Sequence, residues 1–157
     1  MTSGAAVLVL GLGNRLLGDD AAGPLAVDRL AAAARDADAR FIDGGTIGLA
    51  LLPEIEDAEA FIAVDAALFG APPGTVRVFE GEAMDAQLGG RKRSAHEVAL
   101  FDLMAGAELN GRLPARRALV AVEPACTELG LEPTPAVAAA IPRLCAAVDE
   151  LLDRWTR

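Results

Sequence analysis

The chain has 157 residues and a formal net charge of -9, from 23 acidic against 14 basic side chains. That length suits a single domain spanning 1–157, burying roughly two-thirds of its unfolded surface, and a hydrophobic fraction of 53% can fill the core. The acidic balance excludes a general nucleic-acid binder, which needs a basic face to release counterions, and no apolar run reaches the ~20 residues that span a bilayer, so no membrane partner is expected.

In chain order, residues 5–12 are apolar on both faces, as in a central parallel strand. Glycines at 11, 13 and 18 then allow a tight turn that leads to Asp19-Asp20. Helical spacing runs from Asp19 or Asp20 to about Arg35. Gly23-Pro24 falls in the first turn, where the missing N–H of proline would be unpaired anyway. Residues 40–43 form a second short strand ending on Asp43, followed by Gly44-Gly45. Thr46 is placed to cap a helix through Leu49, Leu51 and Leu52 to Pro53. Residues 60–65 are a third apolar strand, ending on Asp65.

Pro72-Pro73-Gly74 signals a turn. The alternation over 75–79 then predicts an edge or antiparallel strand. Residues 80–94 are polar and glycine-containing and read as a mobile surface loop with a basic tip over 89–93. Ser94 with Glu97 three residues on has capping-box spacing, so a helix should follow, fading near Gly106 or Asn110. His96, the single histidine, sits in its first turn. Residues 117–123 are a last strand, stopped by Pro124. Thr134-Pro135 opens a final helix that Pro142 should kink or interrupt, with Trp155 anchoring its end. Cys126 and Cys145 belong to no CxxC and read as two small apolar core residues. No leader-like pattern opens the chain, so the expected compartment is the cytoplasm.

Strands alternating with helices predict an α/β fold: a mostly parallel sheet with helices on both faces and the 75–79 segment antiparallel. In a parallel sheet the acids near 20, 43 and 65 would open on one edge. Ligands of such sheets bind at the carboxyl ends of the strands.

Three kinds of chemistry can be weighed there. The run Gly11-Leu12-Gly13-Asn14-Arg15-Leu16 begins like a dinucleotide loop but lacks the third glycine, and the two aspartates would repel a pyrophosphate. No GxSxG occurs, so acyl-enzyme chemistry has no visible support. Asp20, Asp65 and His96 together make a half-shell for a divalent transition metal. Taken singly, Asp20 reads as a helix cap, Asp65 as a strand end and His96 as a surface histidine; only their convergence on one edge favours a site. Asp19 and Asp20, being adjacent, would face different sides of a helix, so Asp20 with Asp65 is the better carboxylate pair.

The run from Leu10-Gly11-Leu12-Gly13-Asn14 through Gly18-Asp19-Asp20-Ala21-Ala22-Gly23 resembles the opening signature of the hydrogenase maturation endopeptidases. The resemblance continues through Ile42-Asp43-Gly44-Gly45-Thr46, Val64-Asp65-Ala66, Pro73-Gly74-Thr75-Val76, Ser94-Ala95-His96-Glu97 and Val120-Ala121-Val122-Glu123-Pro124. It thus covers nearly the whole chain in order. It implies a three-layer α/β/α sandwich with a twisted, mostly parallel five-stranded sheet. It also implies one cut that removes the C-terminal extension of a nickel–iron hydrogenase large-subunit precursor after nickel insertion. The family's metal-contacting positions fall on Asp20, Asp65 and His96, which would serve in both recognition and catalysis. The nickel would arrive with the precursor, and no organic cofactor is expected. The first ligand is glutamate in some relatives, and the following position, often glycine, is Ala21 here. Asn14, Asp43 and Gly44 would line the substrate cleft, and the protein would act as a monomer. The rival readings are a non-catalytic metal-binding checkpoint or chaperone module of the same fold, and an unrelated small-ligand α/β domain whose acidic edge only caps helices.

Overall fold

The structure is a computed structural model, and it describes residues 6–33, 38–45, 49–91 and 94–156. Five strands form one sheet in the order β2-β1-β3-β5-β4. They are β1 (Val7–Leu12), β2 (Ala39–Gly45), β3 (Ala60–Ala66), β4 (Val76–Glu80) and β5 (Arg116–Val122). β1 runs parallel to β2 and β3, β3 runs parallel to β5, and β4 is antiparallel to β5. β1 and β3 are buried along their whole length, which explains why both read as apolar on both faces. β4 is half-exposed at the edge, where even Val78 meets solvent.

The strand pleat sorts side chains into two cores. On one face Val7, Val9, Ile62, Val64 and Val120 pack against α1 (Ala22–Ala33) and α5 (Pro135–Thr156). On the other face Leu8, Leu10, Phe61 and Leu119 pack against α2 (Leu52–Asp57), α3 (Glu82–Leu88) and α4 (Ala95–Leu109). The result is the expected α/β/α layering. One close approach fixes α1 over the sheet: a side chain at Gly23 would place its first carbon 2.3 Å from the Val64 carbonyl oxygen and 2.4 Å from that of Leu12.

Several sequence expectations need correction. The 80–94 segment is not simply a loop, because α3 occupies its centre. Met84 and Leu88, one turn apart, are both buried, and Asp85 pairs with Arg117 at 2.6 Å; the glycines at 81, 89 and 90 only flank the helix. The first helix does not begin at the aspartates: a 3₁₀ turn covers Gly18–Ala21 and α1 follows it. Arg35 and Thr46, the latter read as a cap, lie outside the described residues. Pro53 opens α2 rather than ending it, as its missing N–H permits. Pro142 does not interrupt α5, which runs through it for 22 residues. The capping box of Ser94 and Glu97 is present at the start of α4 as read. No described helix is long and apolar enough to cross a membrane.

Candidate metal centre

The site lies at the carboxyl ends of β1 and β3. The chain leaves β1 through Gly13, whose φ of +131° is open to glycine, and whose added carbon would fall 1.9 Å from the Asp20 carbonyl oxygen. This turn brings the Asn14 N–H to Asp20 Oδ2 at 2.8 Å. The cap position of the 3₁₀ turn falls on Leu17 rather than Asp20; the other Asp20 oxygen, Oδ1, lies 2.9 Å from His96 Nε2. The second imidazole nitrogen, Nδ1, is 3.4 Å from Asp65 Oδ2. The capping box that starts α4 sets His96 between the two carboxylates, joining the ends of β1 and β3 through a helix on one face of the sheet.

The cluster is buried and underbonded. Asp65 is fully buried, and neither of its oxygens has a hydrogen-bond partner, nor does His96 Nδ1 or Glu97 Oε2. Buried polar atoms are nearly always paired, so four such atoms in one place mark a site prepared for something else. Burial pushes the Asp65 carboxyl up to about 8, against the opposing pull of His96. Burial alone would lower His96, but its hydrogen bond to Asp20 and the nearby Asp65 carboxylate outweigh that and raise it to about 10. Burial would raise Asp20, yet the His96 imidazole and the Asn14 N–H together hold it below the usual carboxylate range. Burial thus favours the neutral form of Asp65, while Asp20 and His96 favour each other's charged forms. One donor atom from each of Asp20, Asp65 and His96 lies within 4.8 Å of the others. Two carboxylate oxygens and an imidazole nitrogen suit a borderline divalent metal and leave coordination positions open. Metal ligands bind deprotonated, so a metal would compete with protons at this site.

An open cleft of about 730 Å3 lies over the cluster. Asn14, Leu17, Asp20, His96 and Glu97 line one part of it, and residues 124–127 form the facing wall. Asn14, read as a substrate contact, is therefore in the cleft. Asp43 and Gly44 stand at the end of β2 and are not among the lining residues. Asp43 accepts from the Arg15 guanidinium at 2.8 Å and 3.1 Å, and the same guanidinium also holds Asp28.

Three features went unread in the sequence. Asp19 is fully buried and accepts from the N–H groups of Ala125, Cys126 and Thr134 at 2.7, 3.0 and 2.6 Å, and from the Thr134 hydroxyl. Burial would raise its pKa, and the backbone donors of Cys126, Thr134 and Ala125 bring it below the usual range. Glu123 is also buried and accepts from the N–H groups of Phe69 and Ala71. Cys126 is not a core residue but is half-buried in the cleft wall, whereas Cys145, half-buried, packs against the core as read. Neither acid could have been recognised without the partners that the fold brings from more than fifty positions away.

The profile of the hydrogenase maturation protease family matches residues 24–151. The chain is similar to hydrogenase expression/formation protein HupD of Rhodobacter capsulatus, with 40% identity over 95% of this chain and 72% of that protein. Its identity to HupM of Azotobacter chroococcum mcd 1 is 34% over 76% of this chain, which spans only 57% of that protein. Among solved structures, the Escherichia coli hydrogenase maturating endopeptidase HybD superposes with a TM-score of 0.88, at 31% identity over 94% of this chain and 92% of that one. HybD of Thermococcus kodakarensis, a [NiFe] hydrogenase maturation protease, superposes at 0.79, with 29% identity over 92% and 97% of the two chains.

Proposed function

The chain belongs to the hydrogenase maturation protease family, and from that premise we propose that it removes the C-terminal extension of a nickel–iron hydrogenase large-subunit precursor once nickel has been inserted. The observation that carries this reading is the cluster of Asp20, Asp65 and His96, whose donor atoms lie within 4.8 Å of one another and of which Asp20 and His96 line an open cleft.

In this reading the nickel is part of the substrate. Asp20, Asp65 and His96 offer two oxygens and one nitrogen to an ion that the precursor already holds, so binding reports that loading is complete. A bound divalent ion supplies Lewis acidity toward the scissile carbonyl or a water. The scissile C–N bond breaks as the oxygen of a water adds to the carbonyl carbon. Asp65, the carboxylate whose pKa burial raises, would in its deprotonated form take a proton from that water, and the leaving amine would receive it. Asn14, which lines the cleft, would border the path of the peptide.

The experiment is to incubate nickel-loaded precursor with the protein and follow the mass of the precursor. The expected result is loss of the tail, with nickel-free precursor left intact. An intact tail on fully loaded precursor would overturn the protease reading in favour of a non-catalytic checkpoint. Efficient cutting of nickel-free precursor would remove the role of nickel in recognition.

A further inference from the structure

Three of the most exposed large apolar side chains stand together beside the cleft. Leu16 is 53% exposed, Leu129 84% and Leu131 81%. Leu16 is far in sequence from Leu129 and Leu131, and a backbone bridge between Leu17 and Gly130 brings the two segments together. The Gly18 N–H donates to the Gly130 carbonyl at 3.0 Å, and the Gly130 N–H donates to the Leu16 carbonyl at 2.8 Å. Leu17, next to Leu16 on the same ribbon, lines the cleft, so the exposed leucines lie on segments that border the site. The ribbon is also held in place. Asp19, next to Gly18, accepts from Ala125, Cys126 and Thr134 on either side of the 128–132 segment. Apolar groups on a fixed ribbon lose little freedom when a partner covers them. Leaving three leucines in water on such a support has an interface as its natural explanation.

The surrounding charge narrows the partner. Glu128 and Glu132 are exposed and bracket the segment, and among the described residues no salt bridge reaches them. The surface is therefore apolar at its centre and acidic at its flanks.

We propose that Leu16, Leu129 and Leu131 form the docking surface for an apolar, basic-flanked segment of the precursor protein, lying outside the tail that enters the cleft; the proposal rests on the processing reading above. Docking would hold the large substrate while the metal-centred cluster inspects the nickel, which separates affinity from chemistry.

The test uses the full chain, nickel-loaded precursor, and a variant carrying Leu129→Ser and Leu131→Ser. Both positions are solvent-exposed, and the thermal midpoint checks that the fold is kept. The variant is expected to bind precursor about tenfold more weakly by calorimetric titration, or worse. Its KM for processing should rise by the same factor with kcat unchanged. A second variant, Glu128→Lys with Glu132→Lys, should weaken binding in the same sense and make it less salt-dependent. Unchanged affinity and KM in the leucine variant overturn the proposal. So does sedimentation showing that the wild-type protein pairs with itself through these leucines while the variant is single and binds precursor as before. Wild-type cutting together with undiminished binding by the variant sinks the docking surface alone. Leucine-dependent binding without any cutting sinks the protease reading and leaves the docking surface standing. Wild-type protein that neither binds nor cuts overturns both.

Discussion

Asp19 and Asp20 are adjacent in sequence, identical in chemistry and both buried, yet they are bonded in opposite ways. Asp19 is saturated: three backbone N–H groups and a hydroxyl, all from the segment between β5 and α5, occupy its oxygens. Asp20 has one backbone donor and one imidazole. That imidazole leads on to Asp65, where both oxygens are unpartnered. A saturated carboxylate has nothing left for an outside ligand, and its role is to tie the far wall of the cleft to the first strand. An unsaturated buried cluster retains its capacity for an incoming partner, because the low dielectric that makes unpaired groups costly also strengthens whatever later pairs with them.

The sharpest way to break this contrast is to neutralise each carboxylate in turn. Asp20→Asn is expected to slow precursor processing about a thousandfold, while its urea midpoint falls by less than that of Asp19→Ala. His96→Gln should behave alike, since it removes the third donor and the link to Asp65. Asp19→Ala should do the reverse. It strands the N–H groups of Ala125, Cys126 and Thr134 in a buried place and should cost about 3 kcal/mol in urea denaturation. If Asp19→Ala proves as stable as the wild type and Asp20→Asn unfolds, the two roles have been assigned the wrong way round.

The fold was largely legible because its signals are local. Residues 7–12 and 60–66 are buried on both faces, and uninterrupted apolar runs say so. The antiparallel edge at Val76–Glu80 showed in its alternation. Helix α3 was hidden because it is only seven residues long and lies among glycines that usually mark loops. In the site, Asp20, Asp65 and His96 could be singled out by their places at strand ends and a helix start, and by the family resemblance. The work of Asp19 could not, because its partners lie 106 to 115 positions away. Nothing local distinguishes a carboxylate that will meet a ring of backbone donors from one that will meet an imidazole.

The pH dependence of stability gives a smaller contrast, with opposite signs at its two ends. Asp19 and Asp20 are held below the ordinary carboxylate value of 3.8. Their stabilising contribution is full above that value and is lost as pH falls through their native range. Asp65 acts the other way. Its native carboxyl keeps its proton up to about 8 while the unfolded chain releases one near 3.8, so this group lowers stability progressively as pH rises between those values. The contribution of His96 is complete below 6.5 and is lost as pH climbs toward about 10. Asp65→Asn should therefore flatten the decline in urea midpoint between about pH 4 and 8, and Asp19→Asn should instead flatten the acid side. A decline of unaltered slope in Asp65→Asn would mean that other groups set the alkaline limb.

The smallest expected effect concerns what keeps His96 opposite Asp20. Ser94 Oγ accepts from the Glu97 N–H, and Glu97 Oε1 accepts from both the N–H and the hydroxyl of Ser94. These bonds close the first turn of α4, from which the imidazole projects. Ser94→Ala should cost about 1 kcal/mol of stability in urea denaturation. Glu97→Gln should cost less, since its amide oxygen still accepts from the Ser94 N–H. Because the cap acts on the cluster only through the backbone, Ser94→Ala should also slow processing, and by far less than Asp20→Asn does. A processing rate untouched by Ser94→Ala would mean that the two carboxylates hold the imidazole without help from the helix. The unsaturated cluster would then be self-positioned, whereas the saturated Asp19 depends entirely on a distant loop.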